Sequence, residues 1–498
     1  MSRAVIVPAG FNPAPSLATT TTVRVVDAVP DGVVLGVPVG SGGEPPAILG
    51  LDRDALAASG FDGAVGQALR IPGAPRIAVG VGDPATLDAD KARDAAAGFA
   101  RAADRDTDIA LSLDGLPAVV AQACVEGVLL ARYSYDELKR EPAGTALASL
   151  TLVTGPAEHD AVSEGAARGQ AFARATMLAR DLANSPPAHL TAARLADLAA
   201  QIGPDYGLEV EVFDRDALVS LGCGGLIGVN GGSAEEPRMI RLTYRPPGAT
   251  DGAPHLALVG KGIMYDSGGL SLKPADAVHA TMKNDMSGAA AVLASMSLLR
   301  ELGCGTTVTG YLMCTDNVPS GTALRLGDVI TMHGGTTVEV LNADAEGRLV
   351  MADALVMAAE QHPDAIVDIA TLTGASMRAL GTSVAGVMGN NQPLIDMILR
   401  SAAITGESAW QLPLERRYRE QLNSDVADLK NMGGPNAGAI TAALFLDEFT
   451  GGLPWAHVDI AGTAQVDKPA GWRTPGCSGF GARLLADLML NFVPGEQA

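Results

Sequence analysis

From about residue 190 onward near-continuous apolar runs of strand length alternate with helical stretches, without a repeat period. HLALVG, TTVTGYLMC, TTVEVL, AIVDIATLTG, SVAGVMG and WAHVDIAG read as buried strands, and residues 286–302, 349–361, 394–403, 440–450 and 480–490 as helices between them. Strands that are apolar at nearly every position have both faces covered, so the pattern predicts a largely parallel sheet with helices on either side. Ligands of such sheets collect at the carboxyl ends of the strands. Before it runs a smaller α/β segment, with AILGL, RIAVGVG, DIALSLDG and ASLTLVTG as strands and 88–103 and 116–133 as helices. A long Ala-rich helix from Glu158 to Leu182, stopped by Pro186 and Pro187, joins the two. The expected fold class is α/β. A smaller N-terminal α/β domain (1–160) leads through a linker helix and junction (161–189) to a larger α/β domain with a mostly parallel, helix-covered central sheet (190–498).

Composition narrows the function classes. With 47% apolar and 18% charged residues over 498 positions, the chain is globular in type. Its formal charge of −21 argues against nucleic acid as a partner, because that affinity comes from clustered Lys and Arg. Five widely spaced cysteines (Cys124, Cys223, Cys304, Cys314, Cys477) without a C-x-x-C pair fit a reducing compartment. The start, MSRAVIVPAGFNPAP, has an apolar patch shorter than a leader's, and no apolar run approaches 18 residues. A cytoplasmic protein without a membrane span is expected. Arginine outnumbers lysine 28 to 7, yet three of the lysines, Lys261, Lys273 and Lys283, fall within 23 residues. A lysine kept in an arginine-rich chain hints at a need for a compact, deprotonatable amine.

Two polar clusters interrupt the apolar structure. In LALVGKGIMYDSGGLSLKPADAVHATMKNDMSGAAAVLAS, Lys261, Asp266, Lys273 and Asp285 follow one strand. Converging carboxylates repel one another unless lysines or a metal ion compensate. The bland alternative is a pair of surface salt bridges, Asp266 with Lys273 and Asp285 with Lys283, and this segment alone leaves both open. In TTVEVLNADAEGRLVMADAL, Asp344, Glu346 and Arg348 are two apart beyond a strand, and an extended backbone would point all three to one side before a helix opening at Leu349. A helix cap explains one acidic residue there but neither of the other two. Asp266, Asp285, Asp344 and Glu346 offer enough oxygen ligands for two divalent ions, and lysine ligates only as a neutral amine. There is no H-E-x-x-H pair, no G-x-S-x-G elbow and no phosphate loop. His457, in WAHVDIAG, reads as a hydrogen-bonded core residue.

GKGIMYDSGGLSLK, MKNDMSGAAAVL, NADAEGRLVMADAL, ATLTGA, ADLKNMGGPNAGAITAALFL and WAHVDIAGTA resemble, in order and spacing, the leucyl aminopeptidase family of cytosolic dimetal exopeptidases, over roughly residues 180–490. The resemblance implies Lys261 and Asp285 as ligands of a more exchangeable metal, Asp344 as a ligand of a tighter one, and Asp266 and Glu346 as bridging ligands. It implies Lys273 as the catalytic lysine and Arg348 as the holder of a bicarbonate that acts as general base. Met282 would line the side-chain pocket, and Thr371 and Leu372 would contact the substrate backbone. It further implies two divalent ions per subunit (Mn2+ or Zn2+), peptide substrates with a free N-terminus and apolar first residue, and a homohexamer. Where the family usually has Glu, Thr and Pro, this chain has Asp316, Ala343 and Leu326. The alternatives are a non-catalytic or DNA-binding protein on the same fold, which intact ligand positions and acidic charge oppose, and a peptidase for a special dipeptide such as cysteinyl-glycine.

Overall fold

The computed structural model describes residues 7, 8, 10–141, 144–249 and 252–495, so most of the N-terminal run judged too short for a leader lies outside the described residues. It divides into two compact units, one of Ala14–Met177 with Val466–Gly476, the other of Met1–Pro13, Leu178–Gln465 and Cys477–Ala498. The division falls inside the long helix, which spans His159–Asn184. No periodicity in the sequence signals the return of 466–476 to the first unit.

The first unit holds strands β1 (Thr22–Val26), β2 (Val34–Gly40), β3 (Ala68–Arg70), β4 (Arg76–Gly82), β5 (Asp108–Ser112) and β6 (Ser149–Val153). They form one sheet in the order β1-β6-β5-β2-β4-β3, parallel except where β3 meets β4. Helices Ala89–Ala102 and Ala121–Ala131 contribute Ala-rich faces to a core with Ile77, Ile109 and Leu150. AILGL, expected as a strand, is instead a 3-10 turn at Ala47–Leu49 closed by Gly50 in the left-handed region. Pro46 before the turn and Gly50 after it leave too short a run for a strand.

The second unit carries β7 (Glu209–Phe213), β8 (Arg238–Tyr244), β9 (His255–Asp266), β10 (Thr307–Asn317), β11 (Val329–Thr331) and β12 (Thr337–Glu339). β13 (Ala365–Ala370), β14 (Ala385–Gly389), β15 (Ala409–Gln411), β16 (Leu429–Lys430) and β17 (Trp455–Asp459) follow. Eight of them make the main sheet, in the order β15-β14-β17-β13-β9-β10-β8-β7. Its centre, β17-β13-β9-β10, is parallel, while β8 and β14 pair antiparallel to it. Every residue of β13 and β17 is buried, as two-sided cover requires.

TTVEVL does not join that sheet. β12 belongs to a small three-stranded sheet with β11 and β16, where Val338 lies opposite Leu429. A short apolar run has no period by which to choose its sheet. The helix after Asp285 is shorter than expected, Ser287–Met296, and its small residues have a reason. A Cβ on Gly288 would sit 2.1 Å from the Ile369 carbonyl oxygen, so the helix lies directly on the backbone of the parallel strands. No helix among the described residues is long and apolar enough to cross a membrane.

Candidate metal centre

The carboxyl ends of the parallel strands converge on one place. β9 contributes Lys261 from its interior and Asp266 from its end, β10 ends at Asn317, the turn after β13 holds Thr371 to Thr373, and β17 ends at Asp459. The remaining candidates arrive on connections. Lys273 comes from the loop after β9, Asp285 from the end of the 3-10 turn His279–Asn284, two residues before helix Ser287–Met296, Asp344 and Glu346 from the passage into helix Gly347–Ala359, and Arg348 from its first turn.

Asp266, Asp344 and Glu346 each offer a carboxylate oxygen, all within 4.8 Å of one another. Lys261 Nζ lies 2.8 Å from both Asp285 Oδ2 and Glu346 Oε1, and donates to the Thr371 carbonyl at 3.1 Å. Lys273 Nζ lies 2.8 Å from Asp266 Oδ2 and 2.5 Å from Asp344 Oδ1. Thr371 Oγ1 donates to Asp285 Oδ1 at 2.6 Å. The Asp266–Lys273 pair of the bland reading therefore exists, but inside the cluster, and Lys283 turns away from Asp285 to donate to the Asn184 carbonyl at 2.6 Å.

Asp344 and Glu346 do not converge by lying on an extended strand. β12 ends at Glu339, Glu346 has helical dihedrals (φ −77°, ψ −34°), and the helix opens at Gly347, two residues before the expected Leu349. No side chain caps its first turn, which leaves the acidic groups to face the cluster. Gly347 is required by Lys261, because a Cβ there would lie 2.6 Å from Lys261 Cε. Gly268, at φ +87°, lets the loop pass Asp344, whose Oδ1 would be 2.8 Å from a Cβ.

Arg348, placed by that helix, is buried, with Nη1 donating to the Asn431 carbonyl at 2.9 Å and Nε without a partner among the described residues. Met282 is half-buried on the 3-10 turn His279–Asn284, three residues before Asp285. Leu372 is half-buried in the turn after β13, beside Thr371.

The charges do not balance. Four carboxylates face two ammonium groups in a largely buried space, only Asp344 and Lys273 being partly open. Burial raises the Asp344 carboxyl to about 6, with the charges of Asp266 and Glu346 adding to it. Asp285 is pushed well above the carboxylate range by burial, and Asp266 is raised by burial and then by Glu346. Glu346 goes the other way, because Lys261 and Lys273 outweigh its burial. Burial pulls both lysines down, but the carboxylates around them win and raise both. An oxygen-rich donor set with excess negative charge and two lysines fits divalent cations. Arg348, drawn down to about 10 by burial and left with an unpaired Nε, fits a small anion.

Four further residues of this region do not stand out in the sequence. Asn317 donates to Asp266 Oδ1 at 2.9 Å and to the Ala343 carbonyl at 2.9 Å, tying two approaching segments together. Asn431, delivered by β16, accepts from Leu341 N at 2.8 Å and donates to the Asn342 carbonyl at 2.7 Å, which holds the passage carrying Asp344. Asn317 follows Asp316 and Asn431 lies in DLKNMGG, and neither amide carries a chemical signal in the sequence by itself. Asp368 and Asp459 were hidden as single acids in apolar strands.

Those two acids flank His457, which hydrogen-bonds to Asp368 through Nδ1 and has Nε2 4.0 Å from Asp459 Oδ2. Burial lowers the imidazolium's pKa, but the Asp368 charge and hydrogen bond outweigh it and raise it to about 9. A raised pKa stabilises the fold fully below the unfolded value, roughly 6.5, and the contribution is lost as pH climbs through the folded value. Unfolding followed by denaturant at pH 7 and at pH 10 is expected to show a loss of roughly 2 kcal/mol that His457→Gln lacks. Equal pH slopes in the two proteins would refute this.

Similarity to known proteins agrees with the geometry. The sequence profile described as "Cytosol aminopeptidase family, catalytic domain" matches residues 177–486, and the one described as "Cytosol aminopeptidase family, N-terminal domain" matches residues 49–142. The chain is 46% identical over 384 residues, 75% of each protein, to a "Probable cytosol aminopeptidase" of Chlorobaculum tepidum. It is 40% identical over 504 aligned positions to one of Streptomyces coelicolor, covering 94% of this chain and 96% of that one. Among solved structures it is similar to "Bottromycin maturation enzyme BotP in complex with Mn", with a TM-score of 0.83 and 38% identity, covering 91% of this chain and 98% of that one. With its catalytic profile matched over well more than half of its length, the chain belongs to the cytosol aminopeptidase family.

Proposed function

We propose that the protein is a two-metal aminopeptidase that removes N-terminal residues from peptides, preferring leucine and other apolar side chains. The observation that carries this reading is the meeting of Asp266, Asp344 and Glu346 within 4.8 Å, with Lys261 Nζ 2.8 Å from both Glu346 and Asp285. In this reading Asp344 would hold one ion, Lys261 (as the neutral amine) and Asp285 the other, and Asp266 and Glu346 would serve both. The ions, when bound, polarise the scissile carbonyl and lower the pKa of a water.

The chain's own groups do the rest. Lys273 supplies positive charge where the carbonyl oxygen becomes an oxyanion. Arg348, whose Nε has no partner among the described residues, would hold a bicarbonate that could accept a proton from the water. Met282 lines the first side-chain pocket, and the backbone at Thr371 and Leu372 aligns the peptide. A free α-amine reaching the Lys261 and Asp285 side explains action on N-termini and not on internal bonds. The reading includes a homohexamer in the cytoplasm.

Because manganese is named with the similar BotP structure, Mn2+ is the first ion to test and Zn2+ the second. Protein loaded with either is expected to carry two ions per chain and to hydrolyse a leucyl amide faster than cysteinyl-glycine. Chelator should abolish turnover, and Mn2+ should restore it. Full activity in protein dialysed free of metal would refute the two-metal reading, and a preference for cysteinyl-glycine would refute the leucine preference.

A further inference from the structure

Three buried ionisable side chains lie behind the site without a part in the chemistry above. Asp368 and His457 face each other across the parallel pair β13 and β17, and Asp459 ends β17 opposite Ala370. All three are at most 1% exposed. Trp455 Nε1 donates to Asp368 Oδ2 at 2.7 Å, and His457 stands between that carboxylate and Asp459.

Asp459 directs three of its four hydrogen bonds to one turn. Its Oδ1 accepts from Leu372 N at 3.3 Å, Thr373 N at 3.4 Å and Ala461 N at 3.1 Å, and its Oδ2 accepts from Thr373 Oγ1 at 2.6 Å. Thr373 Oγ1 in turn accepts from Ser376 N at 3.0 Å, capping helix Gly374–Leu380. From the other side, Thr371 is tied to Lys261 and Asp285. Three consecutive residues are thus pinned between the candidate metal ligands and a buried row of charge.

We propose that Asp459 is a positioning residue: through its bonds to Leu372 N, Thr373 N and Thr373 Oγ1 it sets the Leu372–Thr373 backbone in the register that aligns the substrate peptide. This inference rests on the aminopeptidase reading. Closing a strand does not need three buried ionisable groups, each costly unless paired. Holding the Leu372–Thr373 backbone in place for a reacting peptide gives Asp459 a use, because a misplacement of about 1 Å costs on the order of 100-fold in rate.

The test uses the full-length, Mn2+-loaded protein. Asp459→Asn, which keeps the volume but puts an N–H2 group among donors, is expected to lower kcat/KM for a leucyl peptide by about 100-fold, with a raised KM and unchanged metal content. Thr373→Val should reproduce much of the loss, and Thr373→Ser should restore it. The double variant Asp459→Asn/Thr373→Val should lose no more than the larger single change, since both break one unit. Hydrogen exchange of the 371–376 backbone should quicken in Asp459→Asn and Thr373→Val, but not in Thr373→Ser.

A lowered melting temperature with wild-type kcat, KM and exchange would overturn the proposal. If Asp459→Asn does not fold, equal exchange and equal KM in Thr373→Val and Thr373→Ser would overturn it. Wild-type protein without aminopeptidase activity would instead sink the proposed function, and the exchange of 371–376 would then decide by itself whether Asp459 holds the turn.

Discussion

Glu346→Gln is expected to lower kcat/KM for a leucyl amide by roughly 1,000-fold or more, equivalent to about 4 kcal/mol of lost transition-state stabilisation. Glu346 is where the two halves of the cluster meet. One of its oxygens lies 2.8 Å from Lys261, and it belongs to the group that brings Asp266 and Asp344 together. The glutamine keeps the size of the side chain and an acceptor for Lys261, so the fold is expected to survive. The charge needed to bridge two cations is gone. Metal content should fall below two ions per chain along with activity. Two retained ions with wild-type turnover would remove Glu346 from the centre and, with it, the bridging role.

Lys273→Ala is expected to cost about 100- to 1,000-fold in kcat, the range found when one preorganised oxyanion partner is removed. KM should change little, because the lost interaction is made in the transition state and not in the ground state. Lys273 is the more open of the two lysines, with 17% of its side chain exposed against 3% for Lys261, as a group that must meet a substrate has to be. Lys273→Arg is not expected to rescue activity, since a planar guanidinium does not replace a compact ammonium between Asp266 and Asp344. A kcat within tenfold of wild type for Lys273→Ala would place the oxyanion elsewhere.

The two changes separate what metal ligation and the lysine contribute. Glu346→Gln should reduce metal content, whereas Lys273→Ala should leave it intact. A single mechanism of general destabilisation would move both proteins alike.

Much of the fold was legible because burial leaves a mark on sequence. β9, β13 and β17 are covered on both faces and therefore apolar nearly throughout, and they emerge where HLALVG, AIVDIATLTG and WAHVDIAG are written. β1 and β2 were not recognised, and β1 has no fully buried position to create a pattern. TTVEVL has strand character but carries no information about partners, so its place in a separate small sheet was invisible. The return of 466–476 to the first unit is likewise a matter of long-range packing.

The candidate site divides in the same way. Types and order of residues are properties of the chain: Lys261, Asp266, Lys273, Asp285, Asp344, Glu346 and Arg348 stand out because ionisable groups interrupt apolar runs where burial makes charge costly. Their convergence is a property of the sheet, which lays the ends of β9, β10, β13 and β17 side by side although the chain between them spans some two hundred residues. Which lysine meets which carboxylate, the helical turn that brings Glu346 around to Asp344, and the supporting roles of Asn317, Asn431 and Asp459 were decided only by tertiary structure. The reason is that a hydrogen bond and an ion pair depend on distance and direction between groups far apart in sequence, whereas apolar periodicity and unexpected charge are local and remain written in the chain.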